Sequence, residues 1–196
     1  MSAAEIRCGV VGVGHLGRLH ARILSGLPGA VLAGVMDAVP ERAEAVAREY
    51  RCTACPTLES LLDRDIRFAV VATPTEHHYE IGRALLAAGV ATLIEKPFTR
   101  TIAEADALLE IARASAGGFV GVGHVERFNP VVQAARRHVK NPLFIECDRV
   151  HPFSFRSMDV GVVLDLMIHD LDLVHWLAGG RMTEMEAVGA SVLSGS

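Results

Sequence analysis

Residues 6–19 constrain the fold of this chain more than any other stretch. An apolar run from Ile6 to Val11 leads into glycines at 12, 14 and 17, and a helical pattern follows, with Leu16, Leu19, Ile23 and Leu27 on one expected face. A strand, a tight turn and a helix in that order give each glycine a separate task. Gly12 lets the chain turn, Gly14 lets a diphosphate approach the backbone, and Gly17 lets helix and strand pack closely. The N–H groups that open the helix, at His15, Leu16 and Gly17, then face an anion, aided by the positive end of the helix dipole. Three glycines are a weak signal alone. The residues downstream give them meaning.

A second apolar run, Ala30 to Met36, ends on Asp37, 20 residues beyond Gly17. A carboxylate at the end of a second strand can accept hydrogen bonds from both hydroxyls of an adenosine ribose, and it repels a 2′-phosphate. No arginine follows until Arg42, so the expected cofactor is NAD rather than NADP.

Further along, Pro40 opens a helix with Ala43, Val46, Ala47 and Tyr50 on one face. A brief strand near Thr53 and a short helix around Leu58 to Leu62 come next. Phe68 to Ala72 is a strand-like run broken by Thr73-Pro74, and Ile81, Ala84, Leu85 and Ala88 mark a helix closed by Gly89. Ala91 to Ile94 is a further strand, ending in Glu95-Lys96-Pro97. Ile102, Ala105, Leu109 and Ala112 mark another helix with Gly117-Gly118 past its end, and Phe119 to Val122 a last strand of this series. Short apolar strands alternating with helices predict an α/β fold, a doubly wound parallel (Rossmann) sheet covered on both faces. Ligands of such sheets bind beyond the carboxyl ends of the strands. Gly12 and Gly14, Asp37, Thr73-Pro74, Glu95-Lys96-Pro97 and Gly123-His124 all fall there.

From residue 124 the pattern changes. A helix near Val131 to Val139, a strand around Leu143 to Val150, a loop with Pro152, a long helix from Val162 to Ala178 and a strand-like stretch from Met185 to Leu193 predict the start of an α+β domain. The expected division is 1–123 for dinucleotide binding and 124–196 for an incomplete substrate and oligomerisation domain. A chain of 196 residues has room for one ordinary domain plus part of another.

Composition narrows the partners. A formal net charge of −4 provides no basic footprint for nucleic acid. No apolar run approaches the roughly 20 residues that span a bilayer, and the N-terminus does not read as a signal peptide. Cys8, Cys52, Cys55 and Cys147 are too sparse for a disulfide framework, so the expected setting is the reducing cytoplasm. Cys52-Thr53-Ala54-Cys55 has metal or redox spacing but lacks a second ligand pair, and the histidines are scattered. No metal is expected.

Two places can carry chemistry. In the long helix, Asp165, His169 and Asp172 fall at i, i+4 and i+7 among apolar neighbours. Ionisable groups there are costly unless paired or lining a polar cavity, and an acid–imidazole pair suits a general base. Lys96, at a strand end, can hydrogen-bond a substrate oxygen and share its proton during oxidation.

Together Gly12-x-Gly14-x-x-Gly17, Thr73-Pro74 with His77, Glu95-Lys96-Pro97 and Asp165-x-x-x-His169-x-x-Asp172 resemble the Gfo/Idh/MocA family of nicotinamide-dependent oxidoreductases. The resemblance covers the whole chain. It implies that Lys96 and His169 are catalytic, with Asp165 supporting them or contacting substrate. It also implies that Thr73, Pro74, His77, Glu95 and Lys96 join the glycine turn and Asp37 at the cofactor, and that the peptide before Pro97 is cis. Met167 stands where many members carry glycine. The stretches 121–130 and 159–170 resemble nucleotide-sugar members, in particular the UDP-N-acetylglucosamine 3-dehydrogenases of lipid A biosynthesis, which places Arg127, Asn129 and Asp172 at the substrate. Members continue into a large, mostly antiparallel sheet, of which only the opening is found here, so a fragment or truncated product is expected, with a homo-oligomer for the full-length form.

The resulting expectation is an NAD-dependent dehydrogenase that takes hydride from a sugar or nucleotide-sugar hydroxyl. A dinucleotide-binding module without catalysis is the alternative from another class. Reductase or racemase-like chemistry, as in bilin and dihydrodiol enzymes with the same motifs, is a third.

Overall fold

The apolar runs become the strands of one parallel sheet in the computed structural model, which describes residues 5–115, 118–150 and 161–190. The strands are β1 (Ile6–Val11), β2 (Ala30–Met36), β3 (Thr53–Ala54), β4 (Phe68–Val71), β5 (Ala91–Ile94) and β6 (Val120–Val122), in the order β3-β2-β1-β4-β5-β6. All pairings are parallel. The order reverses between β1 and β4, which makes the crevice beyond their carboxyl ends the natural ligand site.

Helices α1 (His15–Gly26), α2 (Pro40–Tyr50), α3 (Leu58–Leu62), α4 (His78–Ala87) and α5 (Ile102–Ala114) cover the sheet. Neighbouring residues of each central strand point to opposite faces. Val10, Val35 and Val70 pack with Ala21 and Leu24 of α1 and Val46 of α2. Val11 and Val71 pack with Leu61 of α3, Leu85 and Leu86 of α4 and Leu108 of α5 on the other side. Both faces are therefore buried, as continuous apolar strands require.

Helix starts follow from local chemistry. Pro40 sits in the first turn of α2, and Thr101 caps α5 by accepting from the Glu104 N–H while Glu104 accepts from the Thr101 N–H. Two predicted faces are corrected. On α1 the buried residues are Gly17, Ala21 and Leu24, whereas Leu16, Ile23 and Leu27 are 44–56% exposed. The close approach at Gly17 turns the Gly17, Ala21 and Leu24 side toward the sheet and leaves Leu16, Ile23 and Leu27 outward. On α5, Leu108 and Ala112 are buried while Ile102, at the first turn, is 81% exposed.

The chain divides into two compact units, Met1–Gly123 and His124–Ser196. In the second, α6 spans Pro130–His138, and a π-helical turn at Val163–Met167 runs into α7 (Ile168–Ala178). The strands expected at 143–150 and at 185–190 are not formed: these stretches have no hydrogen-bonded ladder partner among the described residues. Residues 151–160, with Pro152 and the start of the 159–170 stretch, and residues 191–196 lie outside the described residues, as does Gly117.

Candidate dinucleotide and acid–base site

The glycine turn has the expected construction. Gly12 adopts φ +81°, and a Cβ there would stand 2.8 Å from the Ala72 carbonyl carbon at the end of β4. A Cβ on Gly17 would come within 1.7 Å of the Gly12 carbonyl oxygen, so only hydrogen fits between helix and turn. Gly14 differs. A Cβ there would meet nothing within 4 Å, leaving its backbone open to an approaching group. Gly14 is also the N-cap of α1, and no side chain caps that end or places an acid in its first turn. The first N–H groups thus point into an uncapped, positive helix end.

Asp37 is pinned beside this turn. Its Oδ2 accepts from the Val13 N–H at 2.7 Å and its Oδ1 from the Val39 N–H at 2.9 Å. One Arg42 N–H group reaches both oxygens, at 3.2 and 3.4 Å. The carboxyl group is 5% exposed, against 50% for the arginine side chain, so Arg42 is the partner that can swing away. A cleft of about 680 Å³ between α1 and α2 is lined by Val13, Gly14, His15 and Arg42 among others.

At the end of β4, the Thr73 hydroxyl oxygen is buried and has no hydrogen-bond partner among the described residues. A buried polar atom of this kind at the switch crevice calls for a ligand to satisfy it. Uncapped helix, open Gly14, anchored Asp37 and unsatisfied Thr73 together fit a dinucleotide. His77, by contrast, is exposed and faces Glu76 at 3.7 Å. Its neighbour His78 is the buried one, with Nδ1 2.9 Å from the Pro97 carbonyl and Nε2 2.9 Å from the Thr73 carbonyl. His78 therefore joins the loops after β4 and β5, a role the sequence reading did not assign it.

The loop after β5 carries Glu95, Lys96 and Pro97, with a cis peptide before the proline. Glu95 is buried. Its Oε1 lies 2.7 Å from Nε2 of His20 on α1, and its Oε2 accepts from the Lys96 backbone N–H at 3.2 Å. Burial pushes the Glu95 carboxyl up, but the hydrogen bond and charge of His20 and the Lys96 contacts outweigh it and hold the group below its ordinary value. His20, three residues past Gly17, was also missed. Its position among the inward-facing residues of α1 is the signal that could have found it.

In the second unit, Asp165 lies in the π-helical turn and His169 in the first turn of α7. Both are half-buried. Asp172 takes a bidentate contact from Arg127, 2.8 Å to Nε and 2.5 Å to a terminal nitrogen. Asn129 caps α6 by accepting from the Val131 N–H at 3.0 Å. Arg136 stacks 4.1 Å from the Trp176 ring centre.

The half-buried Cys52 thiol, desolvated and beside Cys55, is pushed up to about 11, which keeps it protonated at neutral pH. All four cysteines are free. Among the described residues no group of three or more His, Cys, Asp or Glu is arranged to hold a metal ion, and no helix is long and apolar enough to cross a membrane.

Strand order, glycine turn and anchored acid define a dinucleotide-binding protein of Rossmann type. Residues 6–124 match the model of an oxidoreductase family described by its NAD-binding Rossmann fold. The chain belongs to that family, Gfo/Idh/MocA. It is 41% identical over 191 residues to a UDP-N-acetylglucosamine 3-dehydrogenase of Acidithiobacillus ferrooxidans, covering 97% of this chain and 60% of that protein. A scyllo-inositol 2-dehydrogenase (NAD(+)) of Bacillus subtilis is 31% identical, with 94% and 57% covered. Among solved structures, the UDP-N-acetylglucosamine 3-dehydrogenase GnnA from Acidithiobacillus ferrooxidans superposes with a TM-score of 0.90 at 40% identity, covering 98% of this chain and 63% of that one. GenD2 from gentamicin A biosynthesis, in complex with NAD, reaches 0.79 at 26% identity, with 91% and 55% covered. The chain thus spans less than two thirds of the length of these relatives.

Proposed function

We propose that the whole protein is an NAD-dependent dehydrogenase that oxidises a ring hydroxyl of a sugar nucleotide, with the 3-hydroxyl of UDP-N-acetylglucosamine the first substrate to test. The observation that carries this reading is the convergence of Gly14, Asp37 and Lys96 on one rim of the parallel sheet. The likeness to a UDP-N-acetylglucosamine 3-dehydrogenase supports the choice of substrate.

When bound, NAD supplies the hydride acceptor. Gly14 and the start of α1 hold the diphosphate, and Asp37 accepts from the ribose hydroxyls once Arg42 releases its oxygens. The Thr73 hydroxyl supplies a hydrogen bond at the crevice, with Pro74 and His77 on the same loop. Lys96 Nζ handles the hydroxyl proton of the substrate. His169, supported by Asp165, is the second acid–base group. Arg127, Asn129 and Asp172 frame the substrate end through their mutual contacts and the cap of α6. Residues 1–123 form the cofactor domain in this reading, and residues 124–196 contribute to substrate binding and self-association.

The test is calorimetric titration with NAD, followed by an assay of NADH formation with UDP-N-acetylglucosamine and with inositols. Saturable NAD binding with NADH formed from the sugar nucleotide supports the proposal. Binding without turnover on any of these alcohols favours a dinucleotide-binding module instead.

A further inference from the structure

We infer that Glu95 and His20 form a positioning pair that ties the glycine-turn helix to Lys96, so that the cofactor end and the proton-handling end of the rim are set as one piece. The inference rests on the reading of Lys96 given above.

Three elements meet at the Glu95 carboxylate. His20 comes from α1, whose first turn faces the dinucleotide. Its Nε2 lies 2.7 Å from Oε1, and the two side chains are 17% and 8% exposed. The Lys96 backbone N–H donates to Oε2 at 3.2 Å, so the carboxylate grips the peptide that carries the lysine. The chain beyond β6 closes the third side. A Cβ on Gly123 would stand 2.6 Å from Oε2, which leaves the carboxylate no room to move that way. A buried carboxylate stays charged only when its oxygens are paired. Here the pairing is made by two groups of different function, one on the cofactor helix and one at the lysine. Through these bonds Glu95 acts on Lys96 by way of the peptide that carries it.

His20 donates through Nε2 to the carboxylate, and glutamine can place an amide N–H at a similar reach while leucine cannot. That difference separates the hydrogen bond from mere filling of space. The chain has two lysines, Lys96 and Lys140, and Lys140 lies in the other compact unit. Peptide-resolved labelling with an amine-reactive acylating reagent therefore reads Lys96 against an internal reference.

The experiment compares His20→Gln, His20→Leu and Glu95→Gln in the whole protein, each first shown by circular dichroism and thermal melting to be folded. Losing a neighbouring negative charge and the grip on its peptide, Lys96 labels at least about threefold faster in Glu95→Gln; in His20→Leu the carboxylate keeps its charge but loses the donor that fixes it, so Lys96 labelling departs from the parent rate by at least about twofold, with Lys140 unchanged in both. His20→Gln stays near the parent rate. Folded Leu and Gln variants in which Lys96 labels as in the parent overturn the inference, as does a His20→Gln variant that behaves like His20→Leu. The reading of Lys96 itself is tested separately by turnover of Lys96→Ala. If labelling shifts as stated but that variant turns over like the parent, the dehydrogenase role of Lys96 fails and the positioning pair stands.

Discussion

The Asp37 carboxylate accepts a hydrogen bond from the Val13 N–H at 2.7 Å, across the turn that separates the ends of β1 and β2. This bond fixes the acid relative to the glycine turn before any ligand arrives. In Asp37→Ala the Val13 and Val39 N–H groups lose their acceptor and Arg42 is released toward the ribose position. Loss of hydrogen bonds to a charged acceptor, about 1.5–3 kcal/mol, weakens NAD roughly tenfold to a hundredfold, while the freed arginine improves NADP. Calorimetric dissociation constants for both nucleotides give the ratio, and an unchanged ratio refutes the assignment.

Gly14→Ala and Gly17→Ala separate folding from binding. The added methyl at 17 collides with the Gly12 carbonyl and the variant melts early or fails to fold. At 14 the methyl meets nothing in the chain, so the protein melts like the parent but binds NAD at least about tenfold less tightly, because the space belongs to the diphosphate. Equal NAD affinity in Gly14→Ala would place the cofactor elsewhere.

Neighbouring histidines have opposite consequences. His78→Ala removes a buried ring that sits between the Thr73 and Pro97 carbonyls and donates its N–H there, at about 1–3 kcal/mol for the hydrogen bond lost, and urea midpoints fall accordingly. His77→Ala stays within about 0.5 kcal/mol of the parent, since the side chain is exposed. A large loss in His77→Ala would contradict this placement.

Glu95 links stability to acid pH. Its folded value is depressed below the ordinary 4.5, so the folded state holds the proton more weakly than the unfolded chain. The stability this contributes is fully present above the unfolded value and drains away as pH falls through the folded one. Denaturant unfolding of the parent between neutral pH and the region below about 4.5 therefore shows an acid-side decline that is shallower in Glu95→Gln. Parallel curves would sink the assignment.

Lys96→Ala lowers turnover by on the order of 10²–10⁴-fold if the lysine is a positioned acid–base group. Steady-state NADH formation measures it, with NAD affinity taken in parallel so that a binding defect is not mistaken for a chemical one.

The strands and helices of residues 6–122 were legible because each central strand is mostly apolar, Arg7 and Thr92 aside, and bounded by turn residues. The face of α1 was not. Leucines at helical spacing suggested one side, yet a steric fact about Gly17 and the Gly12 carbonyl, visible only in three dimensions, turned the other side inward. His20 and His78 escaped notice for a related reason. Each is defined by a partner 75 or 19 residues away, and spacing along the chain carries no trace of such pairs. The strands expected at 143–150 and, within its described part, at 185–190 show the converse: an apolar stretch marks a segment fit for a sheet, but a ladder exists only where another strand lies beside it.

The parallel sheet ends on β3, two residues long, and on β6, three residues long. Such stubs offer almost no free backbone for another chain to zip onto. Strand-by-strand pairing with another chain is therefore disfavoured at both edges of this sheet.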